Sequence, residues 1–281
     1  MSLSKDIRRE YEQYAVIGEL SEALEGIASY RIRQIKDRVL LSKGFFQELY
    51  SIYLSLRVEK ENLRQPTRPK DLYIVITSMS GLSGAIDDEI VSRVIADYVA
   101  TTTDVITIGS KGAALLKSRG IESERSFGQP DITRPIDTSP IVDLARQYRR
   151  SFVYYQEFQT LTIQKPNRIE LVLETQTLES SELAQGQIST DNIILASEYL
   201  FEPTIEEVVE YLENVMLNIT MTQLILESQL AQFAARFTAM LVARSRAHEA
   251  QNETRLRYLS ARRRERDEAA HEIVYAMRGL R

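Results

Sequence analysis

Cysteine is absent from the 281 residues, which excludes disulfides, thiolate nucleophiles, Cys-ligated zinc and iron–sulfur clusters. Histidine occurs only at His248 and His271, too far apart for the closely spaced pairs of helical zinc sites, so no histidine-based metal centre is expected. No run reaches the roughly 20 apolar residues that span a bilayer. The first ten residues carry Lys5, Asp6, Arg8, Arg9 and Glu10 where a signal peptide would place an apolar core. The expectation is a soluble, cytoplasmic-type chain without direct bilayer insertion, whose membrane association runs through partners. A net charge of -5 excludes a globally basic nucleic-acid binder. What is present, 43% hydrophobic and 27% charged residues, suffices for a core in one large domain or two modest units.

Helix breakers are missing where they matter most. All seven prolines lie between Pro66 and Pro203, and from there to Gly279 neither glycine nor proline occurs. At about 1.5 Å per residue that stretch makes roughly 110 Å of helix, which must be covered by another helix or another protein. The chain up to Gln65 lacks proline too, with Gly18, Gly26 and Gly44 as weak points worth about 1 kcal/mol each against alanine. It reads as a second long helix. Steps of seven run through Ile205, Leu212, Ile219, Leu226, Phe233, Met240, Ala247, Thr254 and Ala261, with Val208 and Val215 in the adjacent seam position. In the N-terminal helix Ile17, Leu20, Leu24 and Ile27, then Ile32, Ile35 and Val39, then Phe46, Leu49, Tyr53 and Leu56 form blocks with slippage between them. An antiparallel coiled coil of the two chain ends is predicted.

The middle has another texture. Leu72 to Thr77 and Asp104 to Ile108 are β-branched runs, separated by a helical stretch from Asp87 to Ala100 and followed by another from Lys111 to Arg119. This alternation predicts a parallel α/β layer. A Pro-rich loop precedes a helix near Ile141 to Arg149, then strand-like runs at Phe152 to Phe158 and Arg168 to Leu173, and Glu179 to Asp191 reads as a solvated loop. The fold class is thus α/β: a domain inserted between the halves of a coiled coil.

Two glycine motifs need weighing. Gly109, Ser110, Lys111 and Gly112 sit where a strand passes into a helix, a place suited to phosphate, but the P-loop spacing is absent and a structural turn is the simpler reading. Gly81, Leu82, Ser83, Gly84 and Ala85 approach a nucleophile elbow, yet Ala85 stands where glycine is wanted and no histidine lies in the α/β segment. Asp87 and Asp88 read as first-turn residues complementing a helix dipole.

Charge is segregated along the C-terminal helix. Phe201 to Ser228 holds six acids and no base, whereas Arg244 to Arg281 holds ten arginines against six acids. Arg255, Arg257, Arg262, Arg263, Arg264 and Arg266 form a guanidinium belt suited to carboxylate partners, while Tyr258 alone is interleaved, which argues against nucleic acid. Beyond the belt the helix is apolar almost all round, with Ala269, Ala270, Ile273, Val274, Ala276, Met277 and Leu280, which suggests a socket in another protein.

Specific segments add to this pattern. Ile108 to Gly112, Tyr199 to Pro203, the set Ala234, Ala235, Arg236, Ala239 and Met240, and then Tyr258, Arg262, Glu272, Ile273 and Val274 resemble the gamma subunit of F-type ATP synthases. Ile7, Arg8, Ala23, Ala28 and Arg33 fit its first helix, so the resemblance covers nearly the whole chain. Leu24, Glu25 and Gly26 replace the family's Met-Lys-Met, Met79 to Ala85 its Asp-Arg-Gly-Leu-Cys-Gly-Gly, and Arg262 and Arg263 its Arg-Gln; this resembles a divergent member.

The resemblance implies an N-terminal coiled-coil helix (1–65), a Rossmann-like α/β domain (66–198) and a C-terminal coiled-coil helix (199–281). It implies a central rotor shaft that couples ion flow through a membrane c-ring to ATP synthesis or hydrolysis in a ring of three alpha and three beta subunits. The implied position is peripheral, on the cytoplasmic face of the cell membrane, with an epsilon-type subunit as a further partner. Catalytic residues, cofactor and metal would all be absent from this chain. Ring contacts would fall to Arg262, Arg263, Arg266, Ile273, Val274, Met277 and Arg33, and the epsilon and c-ring side to Gly81, Leu82, Ser83 and Gly84. Three alternatives remain open at this point: a non-rotary scaffold with the gamma fold, a specialised F1-like ATPase paralogue, and an α/β enzyme with a coiled-coil arm that binds a small molecule near Gly81 or Gly109.

Overall fold

The structure, a computed structural model, describes residues 3–55, 67–171 and 204–279. The Tyr199 to Pro203 motif, the polar stretch 179–191 and the last two residues lie outside the described residues. The elements in chain order are α1 (Leu3–Ser55), β1 (Arg68–Ile76), α2 (Ile86–Asp97), β2 (Thr103–Ile108), α3 (Ser110–Ser118), β3 (Arg125–Phe127), α4 (Ser139–Ala145), β4 (Tyr148–Phe158), β5 (Gln164–Glu170) and α5 (Ile205–Gly279). The predicted long helices are present, α1 with 53 residues and α5 with 75, and α1 continues through all three of its glycines. Two compact units divide the chain inside these helices: residues 1–28 with 236–281, and residues 29–235.

In the larger unit a five-stranded sheet has the order β3-β2-β1-β4-β5. Strands β1, β2, β3 and β4 are mutually parallel, and β5 is added antiparallel by a hairpin from β4. Alternation along β1 assigns its side chains to two cores. Leu72, Ile74 and Ile76 point to one face, packed with Ile106, Ile108, Val142, Val153 and with Met221, Leu224 and Ile225 of α5. Tyr73 and Val75 point to the other, against Ile90, Val91 and Val94 of α2 and Leu116 of α3. The Rossmann-like layer is therefore closed on one face by α2 and α3 and on the other by α4 and α5. Strand β3, only three residues long, escaped the sequence reading because so short a run carries no period, and the helix predicted near Ile141 to Arg149 stops at Ala145, where β4 soon begins. Within the same unit Ile35 of α1 packs on Leu226 and Leu230 of α5.

In the smaller unit the ends of α1 and α5 pair antiparallel: the Ser4 amide donates to Glu265, Glu10 lies near Arg257, and Glu25 pairs with Arg244. On α5 the buried positions are Met240, Ala247, Thr254 and Ala261, the predicted steps of seven. On α1 the seam differs from the expectation. Buried or half-buried residues follow one unbroken 4-3 rhythm through Ile7, Tyr11, Tyr14, Gly18, Ser21, Glu25 and Ala28, and Ile32, Ile35 and Val39 continue it in the larger unit. Ile17, Leu20 and Ile27 therefore lie outside the seam at 46%, 58% and 55% exposure, and no slippage separates the first two blocks. The physical reason is fit: Ala247, Thr254 and Ala261 are small, and small Gly18, Ser21 and Ala28 bring the two backbones close where Ile or Leu would hold them apart. A Cβ added at Gly18 would sit 3.9 Å from that of Ala247.

Candidate functional site

The two glycine motifs lie together at the carboxyl end of β1. Gly109 has φ +101°, and a Cβ there would collide with the Thr77 carbonyl oxygen, while one at Gly112 would meet Thr77 Oγ1 at 2.5 Å. Both glycines are required because strand β1 passes so close to the start of α3. The amide groups that could have bound phosphate are already used: Gly112 N donates to Thr77 Oγ1 at 2.9 Å, and Lys111 N to the Ser78 carbonyl at 3.2 Å. The Lys111 ammonium lies 3.1 Å from buried Asp87. Asp87 also accepts from Ser78 N at 3.0 Å and Ser78 Oγ at 2.6 Å, so both of its oxygens are engaged within the fold. Ser83, buried, is no exposed elbow nucleophile; Gly81, Leu82 and Gly84 are exposed, Leu82 with φ 70° and Gly84 with φ 66°.

The strand order reverses between β1 and β4, and in doubly wound sheets a ligand occupies the crevice at the carboxyl ends of such strands. Here that crevice holds the chain's own helix. Gln156 near the end of β4 accepts from Ser228 and from Gln232 of α5, the latter at 3.3 Å, and its own amide donates to Asp87 at 3.4 Å. The enzyme alternative, which needed a small molecule near Gly81 or Gly109, loses its crevice. Among the described residues no group of three or more His, Asp or Glu could hold a metal, and no helix is long and apolar enough to cross a membrane.

At the opposite end of the sheet two carboxylates are held by arginines. Burial pushes the Asp71 carboxyl up, but hydrogen bonds from Arg150 at 2.8 Å and Arg149 at 3.0 Å outweigh it and hold the group below its usual range. The Tyr148 hydroxyl, 2.6 Å away, and Arg68 lower Glu124 in the same direction. These groups brace the strand starts.

The remaining candidates lie on the coiled coil. Arg262, Arg263 and Arg266 are exposed, and among the described residues no carboxylate pairs with them, whereas Arg244 and Arg257 are occupied by glutamates of α1. Ile273, Val274 and Met277 are exposed on the same unit, while exposed Arg33 belongs to the larger one. Sequence reasoning did not foresee a further exposed set, and had placed Leu20 and Ile27 in the seam. Val16, Leu20 and Ile27 on α1, with Leu241, Val242, Leu256 and Leu259 on α5, are exposed apolar residues outside the seam. Small residues fill part of the seam beside Ile7, Tyr11, Tyr14 and Met240, while these large apolar side chains lie outside it. Exposed apolar side chains of this size on both helices mark a surface suited to another protein.

Comparison with known proteins agrees with this geometry. The family model described as ATP synthase matches residues 4–280. The ATP synthase gamma chain of Akkermansia muciniphila is 23% identical, with 98% of each chain covered, and that of Chlorobaculum parvum 27%, with 98% of this chain and 97% of the relative covered. Among solved structures, a chain of the Euglena gracilis mitochondrial ATP synthase with F1 and c-ring in rotational state 3 superimposes with a TM-score of 0.69 at 18% identity, covering 99% of this chain and 94% of that one. A chain of the rotor of the same enzyme in rotational state 1 gives 0.67 at 18% identity, covering 93% and 98%.

Proposed function

The chain belongs to the ATP synthase family, and from that premise we propose that it is the gamma-type central stalk, turning inside a ring of three alpha and three beta subunits. The observation that carries the reading is the set of exposed apolar residues on both helices of the coiled coil, Val16, Leu20, Ile27, Leu256 and Leu259, which suits a surrounding protein. Rotation and nucleotide affinity are linked because an asymmetric shaft makes different contacts with each of the three catalytic sites as it turns. The chain itself is non-catalytic. Its relatives favour this rotor over a non-rotary scaffold or a specialised paralogue.

Within that assignment Arg262, Arg263 and Arg266 offer unpaired guanidinium groups to acidic loops of the ring, and Ile273, Val274 and Met277 form an apolar bearing at the helix end. Arg33 is a further ring contact. The exposed loop of Gly81, Leu82 and Gly84, with buried Ser83 beneath it, faces the epsilon-type subunit and the c-ring. The functional parts are the two coiled-coil segments, 1–65 and 199–281, and the α/β domain, 66–198. The protein works at the cytoplasmic face of the membrane as a peripheral subunit, passing torque between ion flow and ATP synthesis or hydrolysis.

The test is the stoichiometry of the complex that co-purifies with the chain, tagged within residues 182–186 so that the C-terminus stays free. Three alpha and three beta subunits per copy, with ATPase activity, are expected. Recovery of the chain alone, or with another protein at one to one, rejects the rotor.

A further inference from the structure

A shaft that transmits torque must not turn against its own foot. Most of α5's contacts with the sheet are aliphatic, through Leu217, Met221, Leu224 and Ile225. Such contacts are non-directional and would let the helix settle in neighbouring rotational positions at small cost. Among them is a run of buried and half-buried polar side chains that bond to α4, to the loop after β3 and to β4. Asn218 Oδ1 accepts from Thr138 at the start of α4 at 2.8 Å. Gln229 donates to the Pro130 carbonyl at 3.0 Å, and Gln232 Oε1 accepts from Gln129 at 2.8 Å, both on the loop after β3. Ser228 and Gln232 both donate to Gln156 on β4.

Gln156 is the hub, and its orientation is determined. Its amide nitrogen faces Asp87, whose carboxylate oxygens also accept from Ser78 and lie beside the Lys111 ammonium. Its amide oxygen therefore faces α5, and Ser228 and Gln232 must donate to it. Asp87 is in turn tied to Lys111 on α3 and to Ser78 after β1. One directed chain of hydrogen bonds thus runs from α5 through the sheet to the starts of α2 and α3, with Gln156, Ser228 and Asp87 all fully buried. Buried polar networks of this kind admit one arrangement and penalise its neighbours, since any displacement leaves donors unpaired.

We propose that Gln156 is a positioning residue that locks the rotational setting of α5 against the α/β domain, so that torque passes between them through the Ser228–Gln156–Asp87 network. The torque part rests on the rotor reading above; the lock itself is a property of this chain.

Because the chain has no cysteine, two labels can be introduced cleanly, at exposed Tyr211 on α5 and exposed Ala96 on α2, as Tyr211→Cys and Ala96→Cys. Spin-label distance measurement on the full chain should give one narrow population. Gln156→Leu is expected to lose it; Ser228→Ala, a smaller change, does the same should the first variant not fold. Gln156→Glu sets two carboxylates against each other and should also lose it. A distance unchanged in Gln156→Leu or Ser228→Ala overturns the lock. In the assembled complex, the Gln156→Leu variant should hydrolyse ATP yet pump fewer ions per ATP, and pumping equal to the native complex overturns the torque role. Failure of the native chain to assemble at all counts against the rotor reading alone, and the label distances still decide the lock.

Discussion

Lys111 of α3 holds its ammonium 3.1 Å from the carboxylate of Asp87, which is fully buried. Removing one partner of such a pair leaves an uncompensated buried charge, whereas removing both charges does not. Lys111→Met is expected to lower the unfolding free energy by about 3 kcal/mol, and Lys111→Met with Asp87→Asn by clearly less. Urea unfolding monitored by circular dichroism checks this; equal losses in the two variants would refute it.

The glycines near this pair should differ sharply in tolerance. Gly112→Ala forces a Cβ against Thr77 Oγ1 and should cost several kcal/mol, on the order of other overpacking changes or more. Gly81→Ala has open space and ordinary φ, so its effect should stay within about 0.5 kcal/mol of zero. Comparison of denaturation midpoints separates the two.

Acid should weaken the larger unit through Asp71 and Glu124. Both are held below their ordinary range when folded, so near their ordinary pKa of about 4 the unfolded chain binds more protons. Their contribution is complete above that range and is lost as pH falls through the lowered folded values. Asp71→Asn should flatten the acid limb of the stability profile measured between about pH 7 and pH 3. A limb as steep as in the native chain would remove Asp71 from the account.

The small-residue seam predicts opposite signs for two enlargements. Gly18→Ala adds a methyl at ordinary contact distance and removes a helix-breaking residue, for a gain of up to about 1 kcal/mol. Ala247→Leu overpacks the same crossing and should cost about 1–3 kcal/mol. Thermal melts at the helical wavelength measure both.

Arg262→Ala together with Arg263→Ala should leave the chain folded, since both side chains are exposed. ATP-driven ion pumping by the assembled complex should fall. Unchanged pumping would remove these two residues from the ring contact.

Periodicity made α5 legible along its whole length, because the spacing of Met240, Ala247, Thr254 and Ala261 is a local property of the chain. The β-branched runs of β1 and β2 were legible for the same reason. Which face of α1 enters the seam was not. Hydrophobicity alone selects Ile17, Leu20 and Ile27, but burial belongs to the pair of helices, and the small residues of α5 select Gly18, Ser21 and Ala28. The unpaired state of Arg262, Arg263 and Arg266 likewise emerged only once the glutamates of α1 had been placed. Gln156 and Ser228 lie 72 residues apart, and each alone is an unremarkable polar residue in its own element. Only the closing of α5 over the carboxyl end of β4 turns them into donor and acceptor, because a hydrogen bond depends on distance and direction in space and leaves no period in the chain.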